Sequence, residues 1–352
     1  MRGSIKIANI FGISVNIHLT FFLLPLIFGV LAGLKGIFLI LFVFSCVTIH
    51  ELMHSLAAMY FGIKVKSITL YPIGGIAAID KMPDRPRDEL VISLAGPASN
   101  FVIATVLYII LKNILPYNSL YNILGRIDTW QNTLGATIWI NVMLGLFNLL
   151  PAFPMDGGRV FRALLAQTMN YRKATHIAVI TSNVFAVIFI ILSLWKGYIM
   201  LGLIAVFLYI ASNQEQTQVD IKMTLKDHRV VDILDKQLLT VSPQTSVTDM
   251  LALIFHSHQE DFPVVSENRI EGFVPRIKIM TALHSGHTTK TAAELMLKQF
   301  PQVHPQDNLI DVYKIMQGSG FKALPVVSEG SPVGLITLED IGRIYAIMSG
   351  KM

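Results

Sequence analysis

The chain is poor in charge and in cysteine. Charged residues make up 14% of its 352 residues and hydrophobic residues 53%, a balance that excludes an ordinary soluble globular protein and points to a membrane protein. The single cysteine, Cys46, sits inside an apolar run. It excludes an intramolecular disulfide, a cysteine-rich metal site and a dithiol redox pair, and it sets the soluble part on the reducing side. The net charge of +5 is modest, so no nucleic-acid partner is called for.

Apolar runs recur up to Ala211, and the remainder reads as a soluble module. Six spans are expected, at about 17–34, 36–60, 89–111, 133–152, 174–195 and 197–211. No small-residue cleavage site follows the first, which reads as a retained helix. Lys and Arg gather at Arg2 and Lys6, at Lys64, Lys66, Lys81, Arg85 and Arg87, and at Arg159, Arg162, Arg172 and Lys173; the opposite loops hold only Lys35, Lys112, Arg126 and Lys196. The positive-inside rule then puts both termini in the cytoplasm.

The loop after the second span, KVKSITLYPIGGIAAID, is strand-like. It forms either a plain cytoplasmic hairpin or a hairpin at the membrane, where open strand edges must line a wet cavity or lie at the interface. Residues 212–228 are polar and read as a flexible linker. Beyond them the text repeats at a constant offset of 62: Pro243 with Pro305, Asp249 with Asp311, Pro263 with Pro325, Gly272 with Gly334. Such an offset marks a duplicated α/β unit, at 229–286 and 291–349.

His50-Glu51-Leu52-Met53-His54 is an H-E-x-x-H run inside an apolar span. Residues i and i+4 of a helix share a face, so both imidazoles reach one ion while the glutamate holds a water. Zinc suits such donors. Chance matches are usually solvated helix faces, but a glutamate at mid-span costs at least ~2.5–3.5 kcal/mol and needs a reason. A third ligand is required, and Asp156 in NLLPAFPMDGGRVF is the candidate. Taken by itself, Asp156 reads more readily as the cap of a helix starting near Gly157.

Together, His50-Glu51-x-x-His54, Gly96-Pro97-Ala98-Ser99-Asn100, and Asn148-x-x-Pro151-x-Phe153-Pro154-x-Asp156-Gly157 resemble the site-2 protease family of intramembrane zinc metalloproteases over residues 1–211. PIGG at Pro72–Gly75 resembles the family's membrane-associated hairpin. The resemblance implies that His50, His54 and Asp156 ligate one Zn2+, that Glu51 is the general base, and that Asn148 holds the substrate backbone or the developing oxyanion. It implies a membrane-spanning protein substrate whose helix unwinds locally. No inserted PDZ-like domain is present in the sequence.

The repeats resemble a tandem pair of CBS domains, modules that often bind adenine nucleotides such as ATP. GLITLED, Gly334–Asp340, carries the module's signature, so Thr337 would face a phosphate and Asp340 the ribose hydroxyls. The first repeat departs from it, with Pro275 and Lys278 in the equivalent places. A packing or dimerisation role without ligand is the plainer reading of the pair, and a homo-oligomer is expected. His18, His176, His228, His256, His258, His284, His287 and His304 are assigned to no metal. The fold expected is a multi-pass α-helical membrane protein with a hairpin and a soluble CBS module. Its rivals are a nucleotide-gated transporter, in which Glu51 moves ions, and a scaffold with an inactive site.

Overall fold

The computed structural model describes residues 3–72, 74–79, 85–123, 125–234, 238–257, 259–267 and 269–349. Arg2, Ile73, Lys81 and His258, named above, lie outside them. Two compact units divide the chain, Met1–Thr217 and Gln218–Met352.

The first unit opens on two strands, Ser4–Ile10 (β1) and Ile13–His18 (β2), paired antiparallel. Phe11 and Gly12 between them take φ of 52° and 85°, the positive values that a two-residue hairpin turn with matching twist requires. A 3-10 turn, Leu19–Phe22, leads into α1, Leu23–Tyr60. Gly33 interrupts α1 at φ 60° and ψ −147°, a conformation open to glycine alone. A continuous helix would hold Phe21 and Phe44 about 35 Å apart, yet their ring centroids lie 4.7 Å apart. The chain therefore reverses at Gly33, and α1 is two antiparallel limbs. The expected first span, 17–34, is corrected accordingly: Ile17 and His18 close β2, and the first limb, 23–32, is only ~15 Å long.

Val65–Tyr71 (β3) and Gly74–Ile79 (β4) form an antiparallel pair, and β2 joins β3 in parallel, giving the sheet order β1-β2-β3-β4 with β4 at an edge. Pro86–Leu111 (α2) starts on proline, whose missing N–H is no loss there. Next come Tyr117–Leu120 (α3), Trp130–Asn148 (α4), Asp156–Leu165 (α5), Tyr171–Lys196 (α6) and Ile199–Leu225 (α7). Helix α2 is central, packing on α1, α4 and α5, while the second limb of α1 also rests on β3 and β4. Among the described residues three helical stretches are long and apolar enough to cross a membrane: Leu19–Tyr60, in which the second limb of α1 supplies the length, Pro86–Leu111 and Tyr171–Lys196. Helix α4 carries Gln131, Asn132, Thr133, Thr137 and Asn141 among its 19 residues, which lowers its hydropathy. Residues 212–225, expected as flexible linker, are helical within α7.

The second unit holds Val247–His256 (α8), Phe262–Ser266 (β5), Arg269–Val274 (β6), Arg276–His284 (α9), Ala292–Leu295 (α10), Leu309–Ser319 (α11), Ala323–Ser328 (β7), Ser331–Thr337 (β8) and Leu338–Ser349 (α12). The 62-residue repeat reaches the backbone. Val241 bridges Val264 in parallel as Val303 bridges Val326. The β5–β6 register shifts after Val264 and the β7–β8 register after Val326, and Glu267 and Glu329 both take positive φ. Each repeat buries its own core, around Val264 and Met250 in one and Val326 and Met316 in the other.

Candidate metal centre

His50 and His54 stand one turn apart on the second limb of α1, both buried. Their Nε2 atoms lie 3.1 Å apart. Asp156 Oδ2 lies 3.2 Å from His50 Nε2 and 3.1 Å from His54 Nε2. Asp156 is the first residue of α5, and Met155 occupies the cap position, so its carboxylate is free to turn toward the imidazoles. The approach of α5 depends on Gly157, where a Cβ would meet the Leu150 carbonyl oxygen at 2.2 Å. The Phe153–Pro154 bond just before it is cis.

These three donors fit zinc. Ligand bonds of ~2.0–2.1 Å in a tetrahedron place neighbouring donors about 3.3 Å apart, close to the three separations here. Three groups this near, with at most a proton or two among them, leave lone pairs facing one another unless a cation lies between. Second contacts also suit a metal: His54 Nδ1 is 2.6 Å from the Ile92 carbonyl oxygen, which only accepts, so Nδ1 carries the proton and Nε2 keeps its lone pair. His50 Nδ1 lies 3.2 Å from Asn100 Nδ2. Among the described residues no other histidine joins a group of three such donors.

Glu51 lies beside this cluster, under β4: a Cβ on Gly75 would come within 2.6 Å of Glu51 Cγ. Gly96 of α2 is equally close to the imidazoles, its Cβ position being 2.2 Å from His54 Nε2. Sequence reasoning missed both glycines as parts of the site, and Asn100 as a neighbour of His50. The GPASN and PIGG stretches that contain them were the available signals. Asn148 ends α4, half-buried, and its amide contacts neither imidazole by hydrogen bond.

In the second unit a cavity of about 1200 Å³ is lined by residues of both repeats, among them Pro275, Arg276 and Lys278 of the first and Lys322, Thr337 and Arg343 of the second. Asp340 is turned to Thr337: its Oδ2 accepts from Thr337 N and Oγ1 at 3.0 and 2.7 Å. Thr337 thus lines the cavity while Asp340 braces it. Burial pushes the Asp261 carboxyl on this wall above the ordinary aspartate range.

Two buried imidazoles and a carboxylate, with a glutamate alongside and apolar helices around them, match the donor set of a zinc metalloprotease. The profile of peptidase family M50 matches residues 38–192, and that of the CBS domain matches 230–285 and 292–346. A zinc metalloprotease of Methanocaldococcus jannaschii, MJ0392, is 33% identical over all of this chain and 98% of its own. The putative zinc metalloprotease Rip3 of Mycobacterium tuberculosis is 26% identical over 99% of this chain and 94% of its own. The solved site-2 protease from M. jannaschii is 37% identical over 60% of this chain and 95% of its own, with a TM-score of 0.46. The chain belongs to peptidase family M50, the site-2 proteases, and carries a tandem CBS pair. That membership sets the transporter rival aside.

Proposed function

We propose that this protease hydrolyses peptide bonds in or near transmembrane segments of membrane proteins, with His50, His54 and Asp156 holding one Zn2+ and Glu51 as general base. The carrying observation is the site's place: two imidazoles buried on an apolar limb of α1, His50 about ten residues, or ~15 Å, and His54 about six, or ~9 Å, short of its end at Tyr60. Zinc, when bound, supplies Lewis-acid polarisation. Glu51 takes a proton from the attacking water and passes it to the leaving amine, and Asn148 steadies the substrate backbone. Zinc measured by mass spectrometry on purified protein should be near one per chain, fall to background in His54→Ala and Asp156→Ala, and persist in Glu51→Gln while cleavage of a co-expressed membrane substrate disappears. A parent protein without zinc ends the reading.

The edge strand β4, with Gly75 against Glu51, suits an unwound substrate that adds as a further strand, main chain to main chain. Successive N–H groups point to opposite edges, so one of Ile76 and Ala77 faces the open side. Proline at these positions should lower cleavage about tenfold per lost hydrogen bond and leave zinc bound. Undiminished cleavage in both variants refutes strand addition.

Several finer readings belong to the same proposal. The chain crosses the membrane several times with the β3–β4 hairpin at its surface, both termini and the CBS module are cytoplasmic, and cleavage releases a tethered factor on that side. The Lys and Arg distribution supports this orientation. The CBS pair, residues 229–286 and 291–349, binds an adenine nucleotide between the basic wall of its cavity and Thr337, with Asp340 as brace, and favours a homo-oligomer. Equilibrium dialysis against millimolar ATP should show nucleotide retained by the parent and lost from Thr337→Val with Lys278→Ala. No retention by the parent removes the nucleotide from the scheme.

A further inference from the structure

Asn100 of α2 is 1% exposed. Its Nδ2 lies 3.2 Å from His50 Nδ1, and its Oδ1 is a buried acceptor without a partner. The two imidazoles are thus held differently at their far nitrogens. His54 faces a backbone carbonyl oxygen, which fixes its proton on Nδ1. His50 faces a primary amide, which donates or accepts according to which end it presents.

The two ends have opposite consequences at the metal. With Nδ2 toward the ring, His50 Nδ1 accepts, its proton sits on Nε2, and that proton points at His54 Nε2 and Asp156 Oδ2, where the ion belongs. With the amide turned by half a rotation, Oδ1 accepts from Nδ1–H and the Nε2 lone pair is free for a metal. The rotation exchanges atoms of nearly equal size and needs no backbone movement. An aspartate would fix the second state and a leucine would support neither. We propose that Asn100 is the positioning residue of His50: its side-chain oxygen accepts the Nδ1 proton and so keeps the Nε2 lone pair free for the metal.

This inference rests on the zinc-ligand assignment of His50, and the test separates the two. Full-length protein in detergent is titrated with a chelator to obtain zinc affinity, and is loaded with cobalt(II) to read the ligand field, for the parent, Asn100→Asp, Asn100→Leu and His50→Ala. Asn100→Asp, which only accepts, should hold zinc at least as tightly as the parent, with the cobalt band of the same type. Asn100→Leu, of nearly equal volume, should lose zinc affinity tenfold to a hundredfold, with kcat reduced and KM little changed at saturating metal. Leucine within twofold of the parent, or aspartate as damaging as leucine, overturns the role of Asn100. Should the leucine variant fail to fold, the aspartate arm decides alone. Zinc that binds the parent and survives His50→Ala overturns the ligand assignment and the inference with it.

Discussion

Gly96→Ala is expected to strip the protein of zinc while leaving it folded. Alanine in a helix interior is favoured over glycine by ~0.8–1.0 kcal/mol, so α2 itself gains from the change. The new methyl, however, would lie 2.2 Å from His54 Nε2, 2.6 Å from His54 Cε1 and 2.7 Å from His50 Cε1. Neither ring yields easily, because His54 is tied to the Ile92 carbonyl at 2.6 Å and His50 to Asn100. Displacing a ligand by about 1 Å exceeds the ~0.2 Å that a metal bond tolerates. Gly75→Ala makes the complementary case, since its methyl would strike Glu51 Cγ at 2.6 Å and neither histidine. Metal analysis and cleavage assays run together should find both zinc and activity lost in the first variant, and activity alone lost in the second. One zinc per chain in Gly96→Ala would mean that the ion lies elsewhere.

What the sequence made legible was what local spacing encodes. A spacing of four between two histidines puts them on one helical face, and an offset of 62 between like residues gives two like folds whatever surrounds them. The partnership of Gly96 and Asn100 with the imidazoles was not legible, because it depends on α2 packing against α1 more than 40 residues away in the chain. The N-terminal strands escaped for another reason. Ile13–His18 alternates with period two, but it merges into the apolar run that follows, and the run alone reads as one helix. The reversal at Gly33 hides likewise, since a glycine within an apolar stretch is compatible with an unbroken helix. Residues 212–225 were read as flexible from their polarity, yet Gln, Glu, Lys, Met and Leu are good helix formers, and the helix continues through them.

Arg162→Met should be the most destabilising substitution outside the metal centre. The Arg162 side chain is fully buried, and it joins four helices through charge. Nε donates to Glu89 Oε1 of α2 at 3.0 Å, Nη2 donates to the same oxygen, and Nη1 donates to Glu215 Oε1 of α7 at 2.7 Å. The guanidinium lies 4.9 Å from the Phe153 ring and 5.0 Å from that of Tyr171 on α6, whose hydroxyl donates to Glu89 Oε2 at 3.1 Å. Methionine fills much of the volume, but it leaves the buried Glu89 and the partly buried Glu215 carboxylates without their shared cation, with one Tyr171 hydroxyl still donating to Glu89. Removing one partner of a buried ionic group costs about 3–5 kcal/mol, whereas replacing the whole group with apolar or neutral residues is often nearly neutral. The triple variant Arg162→Met with Glu89→Gln and Glu215→Gln should therefore recover most of the loss. Arg162→Lys should fall between, as an ammonium keeps the charge without the forked geometry. Equilibrium unfolding in mixed micelles measures each step, and a loss below about 1 kcal/mol in the single variant, typical of an average substitution, would show that the carboxylates are hydrated. Because α5 carries both Arg162 and Asp156, zinc retention should fall with stability in the single variant and return with it in the triple one.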